Sequence, residues 1–555
     1  MALTLTLRIN IKRGMARVPV CRGVMNKHRS VGTKMRIALI LPQRRLGLWH
    51  ERLWQTLASE HSVSLFVDDS MPPYPLTLQA WLWIEHLAYP EHQTPSAMFR
   101  ESVRRNAAEL ADDEFDIVID LSERAQPRAG SISTYYGGST DSRALVEQLL
   151  RRQTPYLTVS RQGSDRVLAQ SLPANDDKFR LSRGLQISFT RCIALIERAL
   201  RQRAGEPNSS DFAPERLPGG NLASRIGRFA VAKAIKGLLN KSFPPDTWQI
   251  ALRVNGGPFV PVPDDGKRCY ADPFLYRYRG KTFVFLEEYP DATRKGVISA
   301  AEVAGDRLVS DPVPVLERSY HLSYPVILED AGTTYMIPES STKKTIELYR
   351  AVSFPWQWEF EKVLVEGMAF ADATPIFHQN RWWLFATASH HGTTDCDELF
   401  IFHSDKLTGP WLAHAQNPVK SDCRSARPAG CMVSEHGRLF RPTQICDADY
   451  GVGIVWHELT ELSPSRFLEK EIARFAATNS PGIVGLHTFN QLGSLQAVDI
   501  KLEQSFGRRE KLTPEAMLRL ARDLDFAFAP VFDGSGRNAD QPAAASRQSV
   551  TSCVA

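Results

Sequence analysis

Several acidic residues stand where an apolar run opens or closes on a turn: Asp272 in "YADPFLY", Asp372 in "FADATPIF" and Glu339 in "IPES". An Asp before Pro is a common turn starter. Asp272 therefore reads either as a catalytic carboxylate or as the corner residue of a β-hairpin, and Asp372 poses the same choice. Glu287 and Glu288 offer further carboxylates. Basic side chains occupy comparable places: His321, Arg427, Arg441 and His487. A guanidinium is a fork that matches phosphate or carboxylate oxygens. Arg427 is thus either an anion-binding group or the structural ion partner of Asp272 or Asp372. Trp356, Trp358, Trp382 and Trp383 could offer a platform for a sugar ring, although aromatic residues on strands more often pack in the core. Of these, Trp356 is taken as substrate-binding. A pocket with these groups has mixed charge and suits a saccharide bearing an anionic group, such as a sugar phosphate, a nucleotide sugar or a phospholipid-linked glycan.

These residues recur because the chain repeats. The segments "GKTFVF" from Gly280, "GTTYMI" from Gly332, "NRWWLF" from Asn380, "GRLFRP" from Gly437 and "GSLQAV" from Gly493 each follow another apolar strand by a tight turn. Their Gly/Asn positions are spaced by 52, 48, 57 and 56 residues. Upstream lie "ADPFLY", "YPVILE", "DATPIF", "ARPAGCMV" and "HTFNQL". Five such units predict an all-β five-bladed β-propeller, the closed solution for a repeat of this length. "TWQIALRV", ahead of the first unit, is expected to complete the last blade.

Before the repeat the character differs. "RIALILP", "HSVSLFVDD", "FDIVIDLS" and "PYLTVSR" read as strands, alternating with helices such as "LGLWHERLWQTLASE", "MFRESVRRNAAELADD", "SRALVEQLLRR" and "GLQISFTRCIALIERALRQR". Alternation of this kind predicts a Rossmann-like α/β domain with a parallel, doubly wound sheet. The resulting division is a basic, disordered extension over 1–34, an α/β domain over 35–203, a linker plus helix over 204–245, the propeller over 246–510, and a terminal helix with a disordered tail over 511–555. Met35 opens "MRIALILP" and is an alternative start of the chain.

Composition narrows the function. The net charge is +5, and the first 34 residues hold eight Lys/Arg and no acid, so the remainder is near −3 and no nucleic-acid surface is expected. No apolar run reaches transmembrane length. The eight cysteines form no C-x-x-C pair and read as free thiols in a reducing compartment, which suggests the cytoplasm. His390-His391 reads as a loop pair. No metal and no cofactor is expected. Walker, G-x-G-x-x-G, G-x-S-x-G and H-E-x-x-H motifs are absent.

Taken together, "ADPFLYRYRGKTFVFLEEY", "YPVILEDAGTTYMIPES", "FADATPIF", "ARPAGCMVSEHGRLFRPTQ" and "HTFN" resemble the propeller at the N-terminus of plant glucosamine inositolphosphorylceramide transferases, over roughly residues 246–505. The resemblance implies the fold of arabinanase- and invertase-type glycosidases. In those enzymes a blade-one Asp is base or nucleophile, a blade-two Asp tunes the acid, and a blade-three Glu is the acid. Asp272 matches the first position. Ser323-Tyr324-Pro325 stands where the second is wanted, and Asp372 stands in place of the third, with Glu339 as a further acid. The transferase domain of the plant proteins is not found. "MRIALILPQRRLGLWHERLWQTL" and "FDIVIDLS" resemble the formyltransferase-like half of bacterial fusions, but "GSISTYYGGSTDS" lacks the Asn/His pair that formyl transfer needs. The expected role is in making or modifying a glycan or glycolipid, the propeller holding a saccharide, sugar phosphate or glycolipid. The alternatives are an active hydrolase or glycosyltransferase using Asp272 and Asp372, a sugar formyltransferase, and a non-catalytic scaffold for a partner transferase.

Overall fold

The computed structural model describes residues 34–89, 115–164, 166–201, 221–242, 247–389, 391–435, 437–477, 482–502 and 513–532, with a few isolated positions between them. The expected helix over 98–113, the linker over 204–220, the basic extension and the tail lie outside this set or almost wholly so.

The N-terminal domain is one six-stranded sheet. Its strands are β1 (Arg36–Pro42), β2 (Ser62–Asp68), β3 (Ile117–Asp120), β4 (Ile132–Tyr136), β5 (Leu157–Arg161) and β6 (Val167–Ser171), in the order β2-β1-β3-β4-β5-β6. The first four run parallel, whereas β4, β5 and β6 pair antiparallel. The sheet is therefore mixed, which corrects the expectation of a parallel one. Only five residues join β5 to β6, too few for a crossover, so the chain turns back as a hairpin. Helices α1 (Leu48–Ala58), α2 (Leu76–Ala88), α3 (Arg143–Leu150) and α4 (Leu181–Arg201) accompany the sheet. Ile37, Leu39 and Leu41 of β1 and Leu195 and Ile196 of α4 are buried in one core. Helix α5 (Leu222–Ser242) packs on this domain, with Phe229 edge-on to Trp81 of α2.

From Thr247 the described chain forms five antiparallel sheets of four or five strands, the blades, followed by a short two-stranded pair at Gln504–Ser505 and Arg508–Arg509. The inner strands of the first three blades are Arg268–Tyr278, Ser323–Asp330 and Ala369–His378. Val433–Glu435 takes that place in blade four, and Ile483–Gly485 with Phe489–Leu492 in blade five. The repeat's Gly and Asn positions are the hairpin turns. Arg279-Gly280, Ala331-Gly332 and Gln379-Asn380 are two-residue loops with both φ positive, the type I′ geometry that matches strand twist. Thr247–Val254 pairs along its length with Leu495–Leu502, so the strand ahead of the repeat closes the ring as expected. Helix α6 (Pro514–Phe532) then seals blades four and five, setting Phe528 against Trp456 and Phe489.

The two domains share a buried seam. Arg191 of α4 is buried between Asp397 and Glu398 of blade three and forks onto Asp397 at 2.7 and 2.8 Å. Ser421 Oγ donates to Ser171 Oγ at 2.7 Å, and Leu172 bridges to Asp422. Tyr156, Leu172 and Ala174 pack with Cys396, Cys423 and Cys446. The propeller residues in this seam lie on one face of the ring, in loops or at strand ends, Glu398 opening one blade-three strand and Ser421 closing another.

Candidate functional site

That same face carries the candidate residues. Asp272, Tyr324 and Asp372 occupy matched places near the starts of the first three inner strands. Each has positive φ, +48°, +47° and +52°, at a break in strand register. Left-handed backbone at a residue with a Cβ costs of order 1–3 kcal/mol, and such strain gathers at functional sites. The bulge turns each side chain in toward the ring's axis.

The carboxylates form a chain across blades. Asp499 Oδ2 accepts the backbone N–H of Asp272 at 2.9 Å, Asp272 Oδ2 accepts that of Tyr324 at 3.2 Å, and Glu339 Oε2 accepts that of Asp372 at 3.2 Å. His487 stands between two acids, with Nε2 3.3 Å from Asp272 Oδ1 and Nδ1 2.9 Å from Asp499 Oδ2. The Nδ1 contact is a charge contact out of line for a hydrogen bond. Thr488 Oγ1 donates to Asp272 Oδ1 at 2.6 Å. Trp248, from the closing strand, lies against the imidazole at 4.0 Å between rings.

On the blade-three side Arg427 is the hub. Its Nε donates to Asp372 Oδ2 at 2.7 Å, and its Nη2 reaches Asp372 Oδ1 at 3.3 Å and Glu339 Oε2 at 3.4 Å. Nη1 meets Asp395 at 2.9 Å. Tyr450 lies under the guanidinium at 5.1 Å, and Gln444 adds a 2.7 Å hydrogen bond to Asp372. Tyr324 fills the axis below, its hydroxyl accepting the Gly430 N–H at 2.7 Å.

At the outer edge, His321 Nδ1 accepts the Gly296 N–H at 2.9 Å, which leaves Nε2 to donate to Glu287 Oε1, 3.2 Å away. Glu287 is largely buried and His321 partly exposed. A Cβ at Gly296 would sit 2.5 Å from the Leu322 carbonyl oxygen and 2.7 Å from Glu287 Oε1, so only glycine permits this approach.

These surroundings set opposite proton affinities. Burial pushes the Asp272 carboxyl up, but the His487 charge, the Thr488 hydrogen bond and the Arg427 charge outweigh it and hold the group below its ordinary value. Burial and the Asp272 charge together lift Glu287 well above the usual carboxylate range. Burial lifts Asp372 and Glu339 despite Arg427, and their neighbouring acids add to the rise. Burial would neutralise His487, yet Asp499 and Asp272 keep its proton affinity well above normal. Asp272, His487 and Asp499 also lie within 4.8 Å of one another in a metal-like grouping. The three groups interact with one another as a buried charge network.

Of the residues singled out in the sequence, Asp272, Asp372, Glu339, His321, Arg427 and His487 meet on this face. Two do not. Arg441 is buried within blade four, forked onto Glu469 at 2.9 and 2.8 Å and donating to the Ser425 and Ala426 carbonyls. Trp356 is exposed in the turn between Thr345–Ser353 and Gln357–Glu366, at the end of blade two opposite the carboxylates. A strand turns alternate residues to opposite faces and alternate turns to opposite ends, and spacing alone cannot assign either. The same alternation aims Glu287 at the site and leaves Glu288 with Arg268 and Ser299. Sequence reasoning missed Asp499, Gln444, Asp395, Tyr450, Trp248 and Thr488. For Asp499 the signal was an acid inside the apolar run "QAVDI". Of the cysteines, Cys192, Cys396, Cys423 and Cys446 are buried free thiols, while Cys431 is disulfide-bonded, against the expectation. In the α/β domain His50 is buried against Trp49 and takes a hydrogen bond from Gly47, its pKa lowered to about 3 by burial. Among the described residues that domain has no His–Asp pair.

Residues 261–487 match the family model for the N-terminal region of glucosamine inositolphosphorylceramide transferase 1. The chain is 34% identical over 203 residues to that transferase from rice (Oryza sativa subsp. japonica) and 32% identical over 206 residues to the one from Arabidopsis thaliana, in each case covering 36% of this chain and 27% of the relative. It thus spans about a quarter of the length of the curated relatives it matches. Among solved structures it is similar to a family 117 glycoside hydrolase from Zobellia galactanivorans, with 14% identity and a TM-score of 0.33 over 50% of this chain and 97% of that one. The segment shared with the transferase family, 261–487, lies within the propeller and contains Asp272, Glu287, Glu339, Asp372, Arg427 and His487.

Proposed function

We propose that the propeller face is a saccharide site acting on a glycan or glycolipid by glycosyl transfer or hydrolysis, with Asp272 as base or nucleophile and Glu287 as proton donor. One observation carries this reading. Two carboxylates on adjacent strands of blade one have proton affinities driven apart, one held ionised by His487 and Thr488, the other kept protonated by burial beside it. Glycosidic chemistry needs such a pair, one acid and one base flanking the bond. Asp372 and Glu339, the acids expected from sequence, are clamped by Arg427 and serve better as walls. The match to the transferase family over 261–487 supports a sugar or glycolipid as the ligand class.

The expected anionic ligand fits less well. Each nitrogen of Arg427 is committed to an acid, and six carboxylates (Asp272, Glu287, Glu339, Asp372, Asp395, Asp499) face Arg427 and His487. Such a site favours a neutral or amino sugar. Titration of the full chain with amino, neutral and phosphorylated saccharides tests this, read by thermal shift and product release. A ligand at a hundred times its Kd stabilises by about 2.7 kcal/mol. An amino or neutral sugar should shift the wild type, and turnover should fall at least about a hundredfold in Asp272→Asn and Glu287→Gln. A shift with phosphorylated sugars alone would reverse the charge assignment.

A second reading, a recognition module without chemistry, is favoured by Tyr324 standing where a blade-two acid is wanted. Binding that survives in Asp272→Asn without turnover in the wild type would establish it.

A further inference from the structure

The α/β domain carries a surface that neither its core nor the propeller site explains. Helix α2 buries Leu78 and Glu85 and turns Leu76, Ala80, Trp83, Ile84 and Leu87 outward, positions that share one helical face. Trp83 is 62%, Ile84 51% and Leu87 63% exposed. The adjoining α5 does the same with Val231, 59% exposed, and Ile235, 53% exposed. Large apolar side chains gathered on two neighbouring helices are not the scattered exposure of an ordinary surface.

Among the described residues the charge around them is mainly positive. Between Leu222 and Ser242 there is no Asp or Glu. The one acid of α2, Glu85, is buried and held by Lys233 at 3.2 Å. Arg228 and Lys236 are exposed on α5. At the helix ends, Arg152 and Lys236 lie over the Phe179 ring at 5.1 and 4.6 Å, and Arg180 and Lys233 over Tyr89 at 4.1 and 5.4 Å. Of the described acids near these rings, Asp176 pairs with Arg183, Asp449 pairs with Lys501, and Asp177 accepts the Phe179 N–H. Exposed Trp, Leu and Ile beside clustered cations match the headgroup region of an anionic bilayer. A two-fold contact with a second copy would instead set these cations against one another.

We propose that the α2–α5 face docks on a membrane surface bearing anionic lipids, the apolar stripe entering the headgroup layer and the cations meeting lipid phosphates. No described helix is long and apolar enough to cross a membrane, so the contact is peripheral. The surface ends at the propeller rim. Next to Phe179, Lys178 donates to the carbonyl of Asp447, on the loop that sets Tyr450 under Arg427. Docking itself does not depend on the saccharide reading.

The test is cosedimentation of the full chain with phosphatidylcholine vesicles, with and without a minority of phosphatidylserine. The expected result is binding that requires phosphatidylserine and weakens with salt. Arg228→Gln and Lys236→Gln should each lower the partition coefficient about fivefold, the worth of one basic residue near an anionic surface. Trp83→Ser with Leu87→Ser should abolish binding while leaving the melting temperature unchanged. Asp272→Asn should bind vesicles like the wild type, which separates this proposal from the saccharide site. It is overturned if the wild type ignores phosphatidylserine vesicles, if the double variant binds equally well, or if sedimentation shows a stable dimer that the same substitutions dissociate.

Discussion

His487 is the residue on which the charge pattern of the site turns. Its imidazolium is buried between Asp272 and Asp499, and removing one member of a buried ionic group leaves the others uncompensated. His487→Gln should cost about 3–5 kcal/mol in denaturant unfolding. The pH dependence has a defined sign. A raised histidine contributes fully below its ordinary 6.5 and loses that contribution as pH rises through its folded value. A depressed carboxyl contributes above its ordinary 3.8 and loses it as pH falls through its folded value. The gap between wild type and His487→Gln should therefore be widest between 3.8 and 6.5 and narrow on both sides. A difference that stays unchanged below 3.8 and above 6.5 as well would mean the ring acts by packing against Trp248. Gly296 makes a second case at this scale. Gly296→Ala drives a methyl into the Leu322 carbonyl and Glu287, and backbone cannot yield as a flexible side chain does. A loss of about 1–3 kcal/mol is expected in denaturant unfolding.

Among the elements, the closing strand and the bulged inner strands do the most. Thr247–Val254 precedes the first blade in sequence yet lies in the last blade in space, so the ends of the ring are joined by its pairing with Leu495–Leu502. Ile250 is wholly buried there. Ile250→Ala should destabilise by about 2–5 kcal/mol. Because the strand holds the ring shut, the propeller should still unfold in one transition at lower temperature. Calorimetry resolving a separate early loss of blade five would contradict the closure argument. The bulges at Asp272, Tyr324 and Asp372 explain why three blades present functional groups at the same depth: the repeat places the bulge, and the residue type at the bulge sets the chemistry.

For the whole molecule, the decisive fact is that the α/β domain packs on the face of the ring that bears the carboxylates. Arg191 anchors this seam, buried against Asp397 and Glu398, and Asp395 of the same loop holds Arg427. Seam and site are thus coupled through a few residues of blade three. Arg191→Met strands two buried acids and should cost about 3–5 kcal/mol. Scanning calorimetry should then show the two domains melting apart, where the wild type melts as one. A single unaltered transition in the variant would show that the apolar contacts around Leu172 and Cys423 hold the seam without it.

Local order was open to the sequence because it depends on near neighbours. Gly and Asn at a steady spacing marked the type I′ turns, apolar alternation marked the strands, and together they implied five blades and a closing strand. Asp272, Asp372, Glu339, His321, Arg427 and His487 could be gathered because a repeat puts equivalent positions at equivalent depth. What the sequence could not carry was direction and partnership. Arg441 and Trp356 fell on the wrong side and the wrong end because period alone leaves the phase of a strand free. Asp499 and Gln444 were missed because their roles arise only when distant blades meet. The mixed sheet, the seam over the carboxylate face and the opposite proton affinities of Asp272 and Glu287 were decided by tertiary structure. Each depends on burial and on charges brought close in space, and neither quantity exists until the chain has closed.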